Sequence, residues 1–237
     1  MLWRKSKSAM SADIATRKRL GARLKRCKSK LIVSAVAASF STANLKNGSD
    51  CELAYKIVID AGHGYAADTG GDPGAVNGKY YESVATLAIA KKLKTRLVEN
   101  GYKVKMTRTG GEKDLSLAER CEIANDWGAD CFVSIHLNAA ANKDAKGAET
   151  WRYANVGTTT KRLADNVQKQ LIAATGAVNR GVKTTTAFYV LKKTKCPAVL
   201  CEVGFISNDA EAKKLFSSTY QNKIADGLLK GIRNTLK

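Results

Sequence analysis

Short apolar segments alternate with longer amphipathic segments from residue 55 to residue 237, and this alternation constrains the fold more than any other feature. The apolar segments are partly β-branched, are bounded by glycine, asparagine or proline, and predict strands. These lie at residues 56–60, 103–107, 131–136, 148–153, 187–191 and 198–202. Apolar residues at helical spacing predict helices over 82–99, 115–127, 158–175 and 218–236. We therefore expect one α/β domain with a twisted, largely parallel six-stranded sheet and helices on both faces.

Residues 1–50 form a separate and strongly basic segment. They hold 12 lysines and arginines against 2 acidic residues, and so carry +10 of the chain's net charge of +19. A ten-residue apolar stretch at 31–40 follows the basic part, and the small residues Ser41 and Ala43 come next. This pattern resembles a secretory signal peptide cleaved after Ala43, which would make the protein extracellular, wall-associated or periplasmic. The alternative is a disordered basic tail.

The remaining residues, 51–237, carry a net charge of +9. A basic domain of this kind attracts polyanions such as nucleic acid, anionic lipid or the anionic polymers of a bacterial wall. The sequence has no zinc finger, no RNP-type aromatic strand and no basic region followed by heptads, so no specific nucleic-acid binding is expected. No apolar run approaches the roughly 20 residues of a transmembrane helix.

Polar residues stand where packing alone would favour apolar ones. Asp60 and His63 follow the first predicted strand, and His136 lies at the end of the third. Glu202 interrupts the apolar run of the last strand, and Glu82 opens a helix on its inward face. Taken singly, each has an ordinary explanation, such as an internal ion pair or a favourable helix dipole. Ligands of open α/β sheets bind beyond the carboxyl ends of the strands, so we expect these side chains to meet.

The combination of two histidines with two glutamates indicates zinc hydrolysis. Two imidazoles and one carboxylate are a ligand set of hydrolytic zinc sites, which keep a fourth position for water. A further carboxylate nearby is the base that such a water needs. No G-x-S-x-G motif competes, and the glycine-rich loop before Glu82 is no phosphate-binding loop because Pro73 stands where that motif needs glycine.

Six stretches of the chain resemble, in order and spacing, the zinc-dependent N-acetylmuramoyl-L-alanine amidases, a family of bacterial autolysins, sporulation amidases and phage endolysins. The stretches are KIVIDAGHG at 56–64, YYES at 80–83, MTRTGGEKDLSLAER at 106–120, ADCFVSIHLNA at 129–139, NRGVK at 179–183 and PAVLCEVGFISN at 197–208. Two positions depart from the family pattern: Tyr65 replaces a usual glycine, and Cys201 replaces a usual aliphatic residue.

This resemblance implies that residues 55–237 are a zinc amidase catalytic domain. Its reaction would be hydrolysis of the amide bond between the lactoyl group of N-acetylmuramic acid and L-alanine in peptidoglycan. The resemblance further implies one Zn²⁺ per chain, bound by His63, Glu82 and His136, with Glu202 as the catalytic residue. Anionic wall polymers are candidate further partners, and a monomer is expected. If no signal peptide is present, the protein would stay cytoplasmic until lysis, as a phage endolysin does.

Four other polar residues each keep two interpretations. Asp60 either accepts the ring N–H of a ligand histidine or caps the loop turn. Asn138 either contacts the peptide or caps a turn. Arg108 and Arg120 either form internal ion pairs or contact substrate.

Two competing functions also remain. One is a wall-binding protein that has lost catalysis. The other is a zinc carboxypeptidase that acts on the stem peptide.

Overall fold

The computed structural model describes residues 54–64, 71–110 and 114–236. Its strands are β1 (Lys56–Ala61), β2 (Val76–Asn77), β3 (Tyr80–Tyr81), β4 (Lys103–Met106), β5 (Cys131–Asn138), β6 (Ala148–Tyr153), β7 (Asn179–Thr185) and β8 (Ala198–Phe205). Its helices are α1 (Glu82–Glu99), α2 (Leu117–Trp127), α3 (Thr158–Thr175), α4 (Tyr189–Lys193), α5 (Asp209–Leu215) and α6 (Ser218–Thr235). The four long predicted helices are confirmed.

The main sheet has six strands in the order β4-β1-β5-β8-β6-β7, and β2 and β3 pair separately. Strands β4, β1, β5 and β8 are parallel to one another. Strand β6 runs antiparallel to β8, and β7 runs parallel to β6. The largely parallel sheet is therefore confirmed. Since β6 and β7 are reversed, their first residues lie at the same edge as the last residues of β1, β5 and β8.

Both faces of the sheet are covered by helices. Ile57 and Ile59 of β1 belong to a large apolar cluster that includes residues of α1, α3 and α6. Val58, which points to the opposite face, belongs to a smaller cluster with residues of α2 and α4. Successive residues of a strand point to opposite faces, so the apolar run Ile57, Val58 and Ile59 within β1 is explained by burial on both sides.

The predicted strand at 187–191 is wrong. The sixth strand is β7, and residues 189–193 form the short helix α4. The segment AFYVL is rich in aromatic and β-branched residues, and a short apolar run does not by itself distinguish a strand from a helix. Val190 and Leu191 are buried while Lys192 and Lys193 are exposed, so the short helix has one apolar side. The polar composition of NRGVKTT suits an edge strand, whose side chains are largely in contact with solvent.

Residues 1–50 lie outside the described residues, and so does the predicted signal peptide with its cleavage site after Ala43. Within the described ranges, none of the helices is both long enough and apolar enough to cross a bilayer.

Candidate metal centre and active site

His63, Glu82 and His136 meet at the carboxyl edge of β1 and β5. One potential ligand atom from each of them lies within 4.8 Å of those of the other two. Glu82 Oε1 is 3.2 Å from His63 Nε2 and 3.1 Å from His136 Nδ1. The two imidazole rings are edge-on, with their centroids 4.9 Å apart. The expected meeting of these three side chains at the sheet edge is confirmed.

The backbone of His63 is held in an uncommon conformation. Its φ of +60° is the only positive value for a non-glycine residue among the described ranges, and such a residue costs about 1–3 kcal/mol. Three consecutive carbonyls accept hydrogen bonds from two buried arginines at this point. Arg108 donates to Ala61 O and Gly62 O, both at 2.9 Å. Arg120 donates to Ala61 O and His63 O, both at 3.1 Å. The arginines thus fix the loop that carries the first candidate ligand.

The ring of His63 is oriented by Asp72, a residue that sequence reasoning missed. Asp72 Oδ2 lies 2.6 Å from His63 Nδ1, and Asp72 Oδ1 accepts a hydrogen bond of 2.9 Å from Gly74 N. With Nδ1 engaged, Nε2 is the nitrogen that faces Glu82. Aspartate before Pro73 in a glycine-rich loop reads as an ordinary turn residue, so the sequence carried no signal for this contact.

The carboxylate of Glu82 is buried and anchored at both oxygens. Its Oε1 accepts from Leu137 N at 2.9 Å, and its Oε2 accepts from Ala75 N at 2.9 Å. Burial alone would raise the pKa of Glu82, but hydrogen bonds from His136 and His63 hold that pKa well below its ordinary value.

The pKa of His63 is shifted in the opposite direction from that of Glu82. Burial lowers the pKa of His63, but Glu82 and then Asp72 outweigh this effect and raise the pKa to about 9. A carboxylate that resists protonation therefore lies beside an imidazole that gains a proton easily. The cluster favours positive charge at its centre.

Two glycines leave the room that the candidate ligands need. A Cβ at Gly62 would lie 2.4 Å from His136 Cε1, which is closer than real contacts allow. A Cβ at Gly74, whose φ is +68°, would lie 2.6 Å from His63 Cδ2 and 2.7 Å from Glu82 Oε2. The backbone thus touches all three side chains directly, and their geometry is set by packing as well as by hydrogen bonds.

Glu202 stands beside this cluster on β8, in register with His136 of β5. Its Oε2 is buried and has no hydrogen-bond partner among the described residues. Burial raises the pKa of Glu202 to about 7, with Glu82 adding to the effect and His136 opposing it. A carboxyl group with such a pKa exchanges protons readily near neutral pH. The unpaired oxygen next to a candidate metal centre fits a group that must bind and release a proton.

Asp60 does not contact either histidine by a hydrogen bond within the described part of the chain. Its carboxylate accepts from Thr107 Oγ1 at 2.8 Å, from Ser134 Oγ at 2.6 Å and from Arg120 Nη1 at 2.8 Å. Burial would raise the pKa of Asp60, but the charge of Arg120 keeps that pKa below its usual value. Asp60 is thus the buried counter-ion of Arg120, and the acceptor for His63 is Asp72.

Asn138 ends β5 and donates from Nδ2 to Glu149 Oε1 at 3.1 Å. Its contact with peptide substrate stays a prediction. Glu149 and its partner Arg180, whose Nε donates to Oε2 at 2.8 Å, were not predicted. They lie near the candidate centre because β6 and β7 are reversed, and residue patterns do not encode strand direction.

A cavity of about 470 Å³ opens on the candidate centre. Its lining includes His63, His136 and Glu202. An apolar side is supplied by Leu117 of α2 and by Phe188 and neighbouring residues at the start of α4. Its size is within the usual range for small-molecule sites. The residues at the start of α4, where a strand had been predicted, therefore form one wall of the site.

Residues 57–234 match the family model described as N-acetylmuramoyl-L-alanine amidase. The chain is 37% identical over 179 residues to a sporulation-specific N-acetylmuramoyl-L-alanine amidase of Bacillus subtilis, a match that covers 75% of this chain and 66% of the relative. The chain is also 38% identical to the uncharacterized protein YqiI of the same organism, covering 74% of this chain and 82% of the relative.

Solved structures agree with these sequence matches. An N-acetylmuramoyl-L-alanine amidase from Clostridium difficile 630 superposes with a TM-score of 0.70 at 35% identity, covering 76% of this chain and 95% of the other. The catalytic domain of the amidase CwlV from Bacillus (Paenibacillus) polymyxa var. colistinus gives a TM-score of 0.69 at 36% identity. This match covers 75% of this chain and 96% of the other.

Proposed function

The chain belongs to the N-acetylmuramoyl-L-alanine amidase family, and from this premise we propose that it is a zinc-dependent peptidoglycan hydrolase. Its catalytic domain would span residues 55–237, and it would cleave the amide between the lactoyl group of N-acetylmuramic acid and L-alanine. The observation that carries the zinc dependence is the convergence of His63, Glu82 and His136 within 4.8 Å. The buried, unpaired Oε2 of Glu202 beside them supports it.

The donor set fits Zn²⁺ by its chemistry. Two imidazole nitrogens and one carboxylate oxygen are a common catalytic zinc set, whereas Mg²⁺ and Ca²⁺ prefer oxygen ligands. When bound, zinc supplies Lewis-acid polarisation of the substrate carbonyl and lowers the pKa of a coordinated water. The adjoining cavity gives substrate access to this position. We propose one zinc ion per chain.

The protein's own residues would divide the remaining tasks. Glu202 would take the proton from the attacking water through its free Oε2 and pass it to the amine that leaves with L-alanine. Asp72 would accept the Nδ1–H of His63, which fixes the tautomer in which Nε2 is the ligand atom. Arg108 and Arg120 would keep the loop of His63 in its strained conformation. Asn138 remains a candidate for contact with the peptide.

We expect Asp72→Ala to weaken zinc binding about 10–100-fold, since partners that orient a ligand histidine typically contribute that much. The zinc affinity of Asp72→Asn should lie between those of Asp72→Ala and the wild type, because an amide oxygen is a weaker hydrogen-bond acceptor than a carboxylate oxygen. Zinc dissociation constants from competition with a chelator measure this effect, and Asp165→Ala on the exposed side of α3 is the control. An unchanged dissociation constant in Asp72→Ala would show that the contact with His63 has no role in metal binding.

Product analysis of digested peptidoglycan tests the reaction itself. An amidase leaves lactoyl-muramic acid and a new amine terminus on L-alanine. A carboxypeptidase would instead release an amino acid from the carboxyl end of the stem peptide, and an inactive wall-binding protein would release nothing. Detection of carboxypeptidase products without new L-alanine termini would overturn the proposal.

We propose that the positive charge of residues 51–237, which is +9, contributes to wall affinity. Charges on a surface are screened beyond about 8 Å at physiological salt. Binding of a protein without residues 1–50 to intact walls should thus weaken markedly between low salt and about 0.5 M NaCl. Hydrolysis of a small, neutralised muramoyl peptide should change much less in the same series. Wall binding that is insensitive to salt would assign the affinity to short-range contacts.

The proposed reaction takes place at the cell wall, and two routes to it remain. A cleaved signal peptide would export the protein, whereas an endolysin would reach the wall at lysis. The N-terminal sequence of the mature protein distinguishes them, because signal cleavage after Ala43 would leave Asn44 as the first residue.

A further inference from the structure

Glu149, at the start of β6, is a buried carboxylate for which the proposed mechanism has no use. The residue is 4% exposed. Its Oε1 accepts from Asn138 Nδ2 at 3.1 Å and from Trp151 Nε1 at 3.0 Å. Its Oε2 accepts from Arg180 Nε at 2.8 Å. Three donors fix this carboxylate, and Arg180 is the charge that it pairs with.

The pair lies beside the proposed active site. Glu149 is directly opposite Glu202 in the antiparallel pairing of β6 with β8. Asn138, which contacts Glu149, is two residues beyond the candidate ligand His136 on β5. Arg180 follows the first residue of β7, so it lies at the same edge of the sheet. The reversed strands therefore bring Arg180 to the flank of the proposed active site.

The guanidinium of Arg180 is held in a fixed orientation, but only its Nε is hydrogen-bonded within the described residues. Its Cζ lies 4.8 Å from the centroid of the Phe205 ring, and Nε is engaged by Glu149. Within the described part of the chain, Nη1 and Nη2 make no hydrogen bond or ion pair, and the side chain is 39% exposed. A planar guanidinium with a free edge matches the two oxygens of a carboxylate. Because Glu149 and Phe205 already restrict it, little conformational entropy is lost when it binds.

We propose that Arg180 binds a carboxylate of the stem peptide on the leaving-group side of the scissile amide, an inference that rests on the proposed amidase function. A peptide carboxylate is attracted to the β6–β7 flank, where the partly exposed guanidinium of Arg180 supplies a positive charge. Arg180 thereby sets the direction in which the stem peptide leaves the site and makes the enzyme prefer substrates with that carboxylate free.

The test compares two synthetic muramoyl-L-alanyl dipeptides, one with its peptide carboxylates free and one with them amidated, using the full chain loaded with zinc. The wild type should prefer the substrate with free carboxylates by about 10–100-fold in kcat/KM, because hydrogen bonds to charged groups contribute that much free energy. Most of this preference should appear in KM. Arg180→Ala should reduce the preference to about one. Arg180→Lys keeps the charge without the planar fork and should retain only part of the preference. Lys183→Ala, on the same strand, is the control and should keep all of it.

Thermal denaturation of each variant shows whether it folds. If Arg180→Ala does not fold, the substrate preference of Arg180→Lys tests the proposal in its place. Equal cleavage of both dipeptides by the zinc-loaded wild type would overturn this inference alone. A variant that loses activity equally on both would also overturn it, because Arg180 would then act only by supporting Glu149. If the wild type cleaved neither dipeptide nor peptidoglycan, the proposed function would fail and this inference with it.

Discussion

His136→Ala is expected to remove the bound zinc and, with it, the amidase activity. The substitution takes away one of three proposed protein ligands, so its effect should exceed the about 10–100-fold loss of affinity expected when only a supporting partner of a ligand is removed. The protein should remain folded, because His136 lies at the end of β5 and the apolar clusters on both faces of the sheet do not include it. His63→Ala should behave in the same way.

Elemental analysis of both variants measures this effect, alongside circular dichroism to confirm folding. Lys169→Ala, exposed on α3, serves as a control for handling and should hold one zinc per chain. Full zinc occupancy in both histidine variants would contradict the ligand assignment.

Glu202→Gln is expected to keep its zinc and to lower kcat by about 10²–10⁴, the range for a lost general acid–base group. Glutamine has nearly the same shape, but its amide cannot accept and return the proton. The buried, unpaired Oε2 of Glu202 is the atom that would take up and release the proton, and the substitution removes this ability. A structural role predicts a different result, because an isosteric amide next to His136 would leave turnover nearly unchanged.

Rates on purified peptidoglycan, measured with zinc content on the same samples, separate the two roles. Glu122→Gln, an exposed glutamate of α2, is the matched control and should act as wild type does. Retention of more than half of the wild-type activity in Glu202→Gln would make Glu202 a structural residue.

The residues of the candidate centre could be recognised from the sequence because each breaks a local rule. His63 follows an apolar strand, His136 lies near the end of another, Glu202 interrupts a third, and Glu82 opens a helix with its acid facing inward. Parallel strands bring His63, His136 and Glu202 to one edge of the sheet, which predicts that these three meet. Glu82 starts a helix, so its place beside them was only one of two interpretations. Their chemical roles stay predictions.

The contacts that orient the site could not be predicted in this way. Asp72 lies 2.6 Å from His63, and its backbone carbonyl accepts a hydrogen bond from Gly64 N, a pairing that no residue pattern in the sequence indicates. Glu149 and Arg180 depend on the reversed direction of β6 and β7, which hydrophobic patterns do not specify. The strand prediction for AFYVL is wrong because packing against α2 decides the structure of this segment, and short apolar runs are ambiguous between strand and helix.

The most direct test of zinc-dependent amide hydrolysis is to strip the metal from the wild-type protein and to add Zn²⁺ back in steps. At each step, new amine termini on L-alanine are counted in purified peptidoglycan. We expect no activity without metal, a rise that saturates at one zinc per chain, and no response in His136→Ala. A metal-free protein that releases L-alanine termini as fast as the zinc-loaded one would contradict the proposed centre of His63, Glu82 and His136.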